Sequence, residues 1–183
     1  DPAQQVIEML PEADQELLRT QQYRTWQSGQ FYVHYPSDSY TASQLEDLGT
    51  QLNTALQSVL RTVDIAAYEE EVHFIVFADQ ASMSAYLGND RWYATRPAAH
   101  LAYLVHNEDR APYFNRSLFQ LVATDTWGPT TSELLSAGGA LFSKGICQDI
   151  TYFLDEIGAS LYRDEQYLSF RDLFLDFETV WEQ

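Results

Sequence analysis

The sequence predicts one α+β domain over residues 1–183, in which a small mixed sheet is followed by a helical half. Short apolar runs of strand length lie within residues 31–110, whereas apolar residues recur at helical spacing through residues 111–183. A chain of 183 residues that is 45% hydrophobic can bury one substantial core. These observations favour a sheet-containing half and a helical half within a single domain.

The first elements lead into the predicted sheet. Residues 1–30 are expected to form an N-terminal helical extension, with a helix from Leu10 to Trp26 that is closed by Gly29. The aromatic and β-branched run at residues 31–35 then predicts a strand, which Pro36 stops.

A long helix and a second strand follow. Ser43 and Glu46 match a capping box, which predicts the start of a helix. The apolar stripe of this helix consists of Leu45, Leu48, Leu52, Leu56 and Val59. The near-continuous apolar run at residues 72–77 predicts a strand that is covered on both faces. The strand–helix–strand order predicts that the two strands are parallel neighbours joined by a right-handed crossover.

A short helix and a third strand complete the predicted sheet. Asp79 is expected to cap the helix and Gly88 to end it. A loop that contains Trp92 leads to a strand at His100–Val105. From Asn115 onward the periodicity is helical, with three further apolar stripes within residues 134–142, 146–157 and 170–181.

The charge balance limits the partners. Twenty-seven acidic and ten basic residues give a formal charge of −17. Such a surface repels phosphate backbones and anionic headgroups, so no nucleic-acid partner is expected. An adaptation to high salt and an acidic face for a cationic partner both fit, and the scatter of the acids favours the first. No window approaches the roughly 18 apolar residues of a membrane span, so no membrane insertion is expected.

Cysteine and motif content limit the chemistry. Cys147 is the single cysteine, which permits no internal disulfide and is expected to pack within a helix. The sequence contains no phosphate loop, dinucleotide fingerprint or Gly-x-Ser-x-Gly elbow, so no cofactor is expected. The chain does not begin with methionine, which fits a mature exported or periplasmic product, but the sequence leaves the compartment and the oligomeric state open.

Two stretches of the helical half carry a resemblance to a known family. Residues 118–123 read Leu-Phe-Gln-Leu-Val-Ala, and residues 134–140 read Leu-Leu-Ser-Ala-Gly-Gly-Ala. Together with the order of elements and the run at residues 83–88, they resemble a gluzincin-type, peptidase-MA-like metallopeptidase domain. In that family the first helix reads His-Glu-Leu-x-His and the second reads Trp-Leu-Ser-Glu-Gly-Leu-Ala.

The resemblance implies that the catalytic groups are lost. The two histidine positions fall on Phe119 and Ala123, the general-base glutamate on Gln120, and the third ligand on Ala137. Zinc in such a site needs two imidazoles four residues apart and a carboxylate from another helix. Since phenylalanine and alanine offer no lone pair and glutamine is no base near neutral pH, we expect no metal site and no zinc-peptidase activity.

The same resemblance implies a remnant cleft. Its candidate lining residues are Trp92, Arg116, Trp127 and Glu133, and a peptide or protein is its candidate partner. A non-catalytic relative of the gluzincins is therefore the leading hypothesis. A structural or interaction domain of unrelated ancestry stays open.

A hydrolase with a displaced site is the second hypothesis. It would use Asp125, Glu133 or His106. We expect instead that Glu133 completes a capping box with Thr130 and that Asp125 is solvated.

The four histidines of the sequence are not expected to form a metal site. His100 and His106 would be about 20 Å apart in one strand, too far to share an ion. His34 and His73 lie in strands that the sequence predicts to be neighbours, where a two-histidine surface site is conceivable. Buried or edge histidines with ordinary hydrogen bonds are the favoured interpretation.

Overall fold

The computed structural model describes residues 6–129 and residue 139. Within that part, four complete helices, five strands and two 3₁₀ turns follow one another along the chain. In order they are α1 (Glu12–Thr20), β1 (Tyr23–Ser28), β2 (Phe31–Pro36), a first 3₁₀ turn (Tyr40–Ser43), α2 (Leu45–Val63), β3 (Val72–Phe77), α3 (Gln80–Leu87), β4 (Tyr93–Arg96), a second 3₁₀ turn (Pro97–Ala99), β5 (Leu101–Val105) and α4 (Phe114–Trp127).

The sheet is mixed and has the strand order β1-β2-β3-β5-β4. Its three central strands, β2, β3 and β5, are parallel, and the edge strands β1 and β4 are antiparallel to their neighbours. The predicted α+β class with a mixed sheet is therefore confirmed. The predicted parallel pairing of residues 31–35 with residues 72–77 is also confirmed, since Phe31 pairs with Val72.

Helices cover both faces of this sheet. On one face, Val33, Phe74 and Leu104 belong to a core that includes the apolar side of α2 and of α4. On the opposite face, Ile75 and Tyr103 pack with residues of α1 and α3. Because side chains alternate along a strand, a strand covered on both sides is apolar at most positions, which explains the run in β3, where His73 is the exception.

The predicted helix from Leu10 to Trp26 is wrong in its second half. The helix α1 ends at Thr20, Gln22 adopts a left-handed conformation with φ of 54°, and strand β1 begins at Tyr23. A two-residue loop that starts at Gly29, with φ of 57°, joins β1 to β2. Glycine tolerates this conformation, so it marks a hairpin turn and not the end of a helix. The sheet therefore starts within residues 1–30, which are not purely a helical extension.

Strand β4 was expected to be part of a loop. It has four residues and pairs antiparallel with β5, with Tyr93 opposite Leu104. A strand this short carries too few positions for alternation to be recognised in the sequence. His100 lies outside β5 in a left-handed conformation with φ of 44°, so the third predicted strand begins one residue later than expected.

The two predicted helix caps have different outcomes. Asp79 accepts a hydrogen bond from the Ser82 backbone N–H at 2.7 Å, and Gly88 ends α3 with φ of 71°, as predicted. The capping box at Ser43 is wrong, because the Ser43 hydroxyl donates to the carbonyl of Tyr40 within the first 3₁₀ turn.

A buried carboxylate fixes α1 to the sheet. Asp14 is fully buried and accepts hydrogen bonds from Tyr86 Oη at 2.7 Å, Tyr103 Oη at 2.8 Å and Arg96 Nη1 at 3.0 Å. These donors come from α3, β5 and β4, so one side chain ties the helix to three other elements. Burial, followed by the bond to Asp14, raises the pKa of Tyr103.

The predictions for the rest of the helical half lie outside the described residues. They include the stripes within residues 134–142, 146–157 and 170–181, together with Glu133, Ala137 and Cys147. Among the residues that the structure does describe, no helix has the length and apolar character needed to cross a membrane.

Candidate functional site

The first three positions that the resemblance aligns with the gluzincin motif, Phe119, Gln120 and Ala123, lie on α4, a helix that the sequence predicted. At the start of this helix, the Arg116 guanidinium lies 4.2 Å from the centroid of the Tyr93 ring in β4. Asp125 lies near the end of α4, and its Oδ2 is 3.1 Å from Nε2 of His100, the residue that follows the second 3₁₀ turn. Helix α4 therefore runs alongside the edge strand and in the same direction.

Phe119, which the resemblance aligns with the first histidine, is 5% exposed. Its ring meets the Trp127 ring edge-on, with 6.2 Å between the centroids. A Cβ atom built on Gly139 would overlap the Phe119 ring, so this ring lies directly against the backbone of Gly139. Gly139 is two residues beyond Ala137, the position of the third ligand. An aromatic ring thus fills the space next to Gly139 on the side of α4 that carries Phe119.

The other two positions are no better suited to metal. Ala123 is buried and Gln120 is half-buried on α4. In the described part of the chain, no group of three or more His, Cys, Asp or Glu side chains is arranged to hold a metal ion.

No family model, curated protein or solved structure matches this chain. The gluzincin resemblance therefore stays a prediction, and the function has to be argued from the residues themselves.

The candidate cleft residues fall into two places. Trp92 directly precedes β4 and is 36% exposed, with the Arg110 guanidinium 3.9 Å from its ring centroid. Arg116 lies beside the next residue, Tyr93. Trp127, which is 61% exposed, is eleven residues further along α4, about 16 Å away. The structure brings Trp92 and Arg116 to one end of α4 and places Trp127 at the other.

A groove of about 470 Å³ lies elsewhere. Its walls are one side of α2, including Thr50, Thr54 and Ser58, and the segment 111–115 that leads into α4. None of the predicted cleft residues that the structure describes lines this groove. The Thr50 and Thr54 hydroxyls donate to carbonyls within their own helix, so they are already occupied as donors.

Sequence reasoning missed a polar cluster around Asp125. The Tyr68 hydroxyl donates to Asp125 Oδ2 at 2.5 Å, and His100 Nε2 lies 3.1 Å from the same oxygen. On the other side of the ring, His100 Nδ1 is 4.0 Å from Glu70 Oε2. The expectation that Asp125 is merely solvated is therefore wrong, although 30% of its side chain is exposed.

This cluster has two features of reactive sites. His100 holds a left-handed conformation that costs a non-glycine residue free energy. Burial, and then the bond to Asp125, raises the pKa of Tyr68, so its phenol keeps its proton and remains a donor. Tyr68 and Asp125 are 57 positions apart, and no periodicity in the sequence signals such a contact.

His34 and His73 are neighbours, as predicted, but they are not on the surface. His34 is fully buried and His73 is 4% exposed. His34 Nε2 bonds to His73 Nδ1 at 3.2 Å, and His34 Nδ1 bonds to Thr25 Oγ1 at 2.9 Å. Burial lowers the pKa of His34 to about 3 and that of His73 to about 4. Both imidazoles are therefore neutral, and they bond to each other instead of converging on an ion.

His106 is separated from the Asp125 cluster. It follows the carboxyl end of β5, whereas His100 precedes the amino end, so the two are about 20 Å apart. His106 is buried, its Nδ1 bonds to Thr41 Oγ1 at 3.1 Å, and burial lowers its pKa. A displaced site that combines Asp125 with His106 is therefore not formed.

Proposed function

We propose that this chain is a non-catalytic, gluzincin-like domain that binds a peptide or protein segment. The observation that carries the proposal is the Phe119 ring, which fills the space next to Gly139 and belongs to a residue that the resemblance aligns with a zinc ligand. A methyl group at Ala123 and an amide at Gln120 complete a set of side chains that cannot hold zinc or activate water.

Strand β4, beside which helix α4 runs, supports the proposal that this chain binds a peptide. Strand β4 is an edge strand among the described residues, and its outer backbone groups are open to pairing. Two Arg–aromatic pairs flank its start, Arg110 with Trp92 and Arg116 with Tyr93. Tryptophan, tyrosine and arginine are the residues most often found at the energetic centres of protein interfaces.

Zinc titration tests the non-catalytic half of the proposal. Isothermal titration of the parent chain with zinc should give no binding at micromolar or lower concentration, and a peptide-library assay should show no metal-dependent cleavage. The double variant Phe119→His/Ala123→His serves as a positive control, because two imidazoles four residues apart on a helix can share one ion. Micromolar zinc binding together with metal-dependent turnover by the parent chain would overturn the proposal.

One observation favours a second candidate, a hydrolase that uses the cluster of Tyr68, His100 and Asp125. An Asp–His pair with a phenol donor nearby can move protons, and His100 and Asp125 are each about 30% exposed. This candidate requires that His100→Gln abolishes a measurable hydrolytic activity while the circular dichroism spectrum is kept. Screening with chromogenic ester, phosphoester and peptide substrates tests it, and activity that is unchanged in His100→Gln excludes this site.

A further inference from the structure

We infer that the surface formed by Trp92 and Arg110 binds carboxylate side chains of an acidic peptide segment. This inference rests on the proposed peptide-binding function and names the class of peptide. It is carried by an excess of arginine in this stretch of an acidic chain, by an arginine that has no ion-pair partner among the described residues, and by the hydrogen-bonded turn in which this arginine lies.

The first observation is the distribution of charge. The whole chain carries −17, with ten basic residues among 183. Four of those ten lie within residues 91–116, which contain only two acids, Glu108 and Asp109. Because Arg96 is paired with Asp14 outside this window, three arginines face two acids, which leaves a formal charge of 3 − 2 = +1. A cationic segment in so acidic a chain is a local site for an anionic group.

The second observation separates Arg110 from the other arginines of this window. Arg96 is committed to the buried carboxylate of Asp14. The guanidinium of Arg110 stacks on Trp92 at 3.9 Å and forms no ion pair with any side chain in the described part of the chain. A cation–π contact uses the face of the guanidinium and leaves its five N–H donors free. Two of these donors can bind one carboxylate side by side, which is the strongest geometry that arginine offers.

The third observation is that hydrogen bonds hold the backbone of Arg110 in a tight turn. The backbones of Asn107 and Arg110 form two hydrogen bonds of 3.1 Å across a tight turn. The Asn107 side chain ties this turn to the carbonyl of Ala78 at 2.9 Å and accepts from the Asp109 N–H at 3.2 Å. Trp92 directly precedes β4 and stacks on the Arg110 guanidinium. A preorganised backbone loses little conformational entropy on binding, so more of the interaction free energy appears as affinity.

The negative charge of the rest of the chain indicates which class of anionic ligand the Trp92–Arg110 surface can bind. A nucleic acid presents one charge per about 1.7 Å of duplex over many ångströms, and the acidic surface around this small patch repels it. A peptide with a few carboxylates contacts the patch without approaching the rest of the surface. The exposed Trp92 ring also offers an apolar contact that suits a peptide side chain. An acidic peptide is therefore the ligand class that fits.

Fluorescence anisotropy with defined probes tests this inference on the full chain. The probe is a fluorescein-labelled peptide of alternating glutamate and alanine, compared with a peptide of alternating glutamine and alanine. The glutamate peptide should bind at least about tenfold more tightly at low ionic strength, and this preference should shrink as salt is raised to about 0.15 M. Equal binding of the two peptides would overturn the inference.

Variants locate the binding. Arg110→Gln and Trp92→Ala should each weaken binding of the glutamate peptide about tenfold, since both residues contribute at the centre of the contact. The matched control is Arg61→Gln, which removes an exposed arginine of α2 far from β4 in the sequence and should leave binding unchanged. Equal effects of Arg110→Gln and Arg61→Gln would show a non-specific charge effect and sink the assignment. Unchanged melting temperatures would confirm that the exposed substitutions leave the fold intact.

Three further outcomes identify the ligand and separate this inference from the proposed function. A thymidine oligonucleotide that binds as tightly as the glutamate peptide would replace the peptide with a nucleic acid. A random-peptide display library whose binders keep their affinity in Arg110→Gln would refute the acidic preference while peptide binding stands. A library from which the parent chain selects no peptide at all would count against the proposed function itself.

Discussion

The Phe119 ring lies against the backbone of Gly139, at a place where no side chain larger than a hydrogen atom fits. The ring also packs in the core between α4 and the sheet and contacts the Trp127 ring edge-on. A substitution at Phe119 or at Gly139 should therefore change the packing around the other residue. The contact also joins α4 to a residue that lies 20 positions further along the sequence.

Replacing Gly139 with alanine should lower the free energy of unfolding by about 1–3 kcal/mol, because the added methyl group overpacks the site. In a Phe119→Leu background the same change should cost less, since the smaller side chain leaves room. Urea denaturation of the parent, both single variants and the double variant gives the coupling energy, which we expect to exceed about 0.5 kcal/mol. Additive effects of the two substitutions would show that the ring and Gly139 do not constrain each other.

The central part of the fold could be predicted from the sequence, because burial on both faces leaves a recognisable pattern. The continuous apolar run of β3 and the leucine stripe of α2 predicted their elements and the parallel pairing with β2. That pairing also placed His34 and His73 in neighbouring strands, but a surface site was considered for them and not the buried hydrogen bond between them. The edge strands β1 and β4 were missed, since a short strand with one neighbour has a mixed composition and no clear alternation.

The polar contacts that shape the candidate sites could not be predicted. Tyr103 and Asp14 are 89 positions apart, and Tyr68 and Asp125 are 57 apart. A hydrogen bond between distant side chains depends on tertiary packing and leaves no periodic signal in the chain. The Arg110–Trp92 pair was missed for the same reason, although Trp92 itself was selected as a cleft residue.

The buried pair of His34 and His73 should make the protein sensitive to mild acid. Both pKa values are lowered by burial from 6.5, to about 3 and about 4. Above pH 6.5 both the folded and the unfolded chain hold neutral imidazoles, so stability is complete there. As the pH falls below 6.5, the unfolded chain binds protons that the folded chain does not, and stability is lost down to about pH 4. Two imidazoles give a slope of up to about 2.7 kcal/mol per pH unit.

Urea midpoints measured between pH 7.5 and pH 4.5 check this slope. The double variant His34→Gln/His73→Gln should show a flatter dependence than the parent. Thr25→Val is the matched control, because it removes the hydroxyl partner of His34 without removing a titratable group. Falling pH also relieves the repulsion within a chain of charge −17, so the comparison with the variant isolates the imidazoles. Equal slopes in the parent and the double variant would refute this account.

The bond from Tyr68 to Asp125 should contribute measurably to stability. Tyr68→Phe removes one hydrogen bond to a carboxylate and should lower the free energy of unfolding by about 1–2 kcal/mol. Tyr40→Phe is the matched control, since Tyr40 is 37% exposed, and it should change stability by less than about 0.5 kcal/mol. Thermal melts and urea curves compare the two. A Tyr68→Phe variant as stable as Tyr40→Phe would show that the bond is replaced by water without cost.

Asp14 should be the most sensitive polar position among the described residues. Asp14→Ala removes the common acceptor of Tyr86, Tyr103 and Arg96. Arg96 can turn towards water because 44% of its side chain is exposed, but the Tyr103 hydroxyl is fully buried and would be left unpaired. We therefore expect a loss of about 2–4 kcal/mol in the free energy of unfolding.

The Asp14→Asn variant distinguishes the contribution of the size and acceptor oxygen of this side chain from the contribution of its negative charge. The amide keeps the size of the carboxylate and one acceptor oxygen, so it should recover part of the loss, while the ion pair to Arg96 is gone. The exposed Asp38→Ala variant controls for the removal of a negative charge and should stay within about 0.5 kcal/mol of the parent. Hydrogen exchange of the α1 amides adds a local readout, because losing the anchor should free this helix before the sheet unfolds. If α1 amides keep their protection in Asp14→Ala, the helix is held by the apolar contacts that its own Leu17 and Leu18 make in the core and not by the carboxylate.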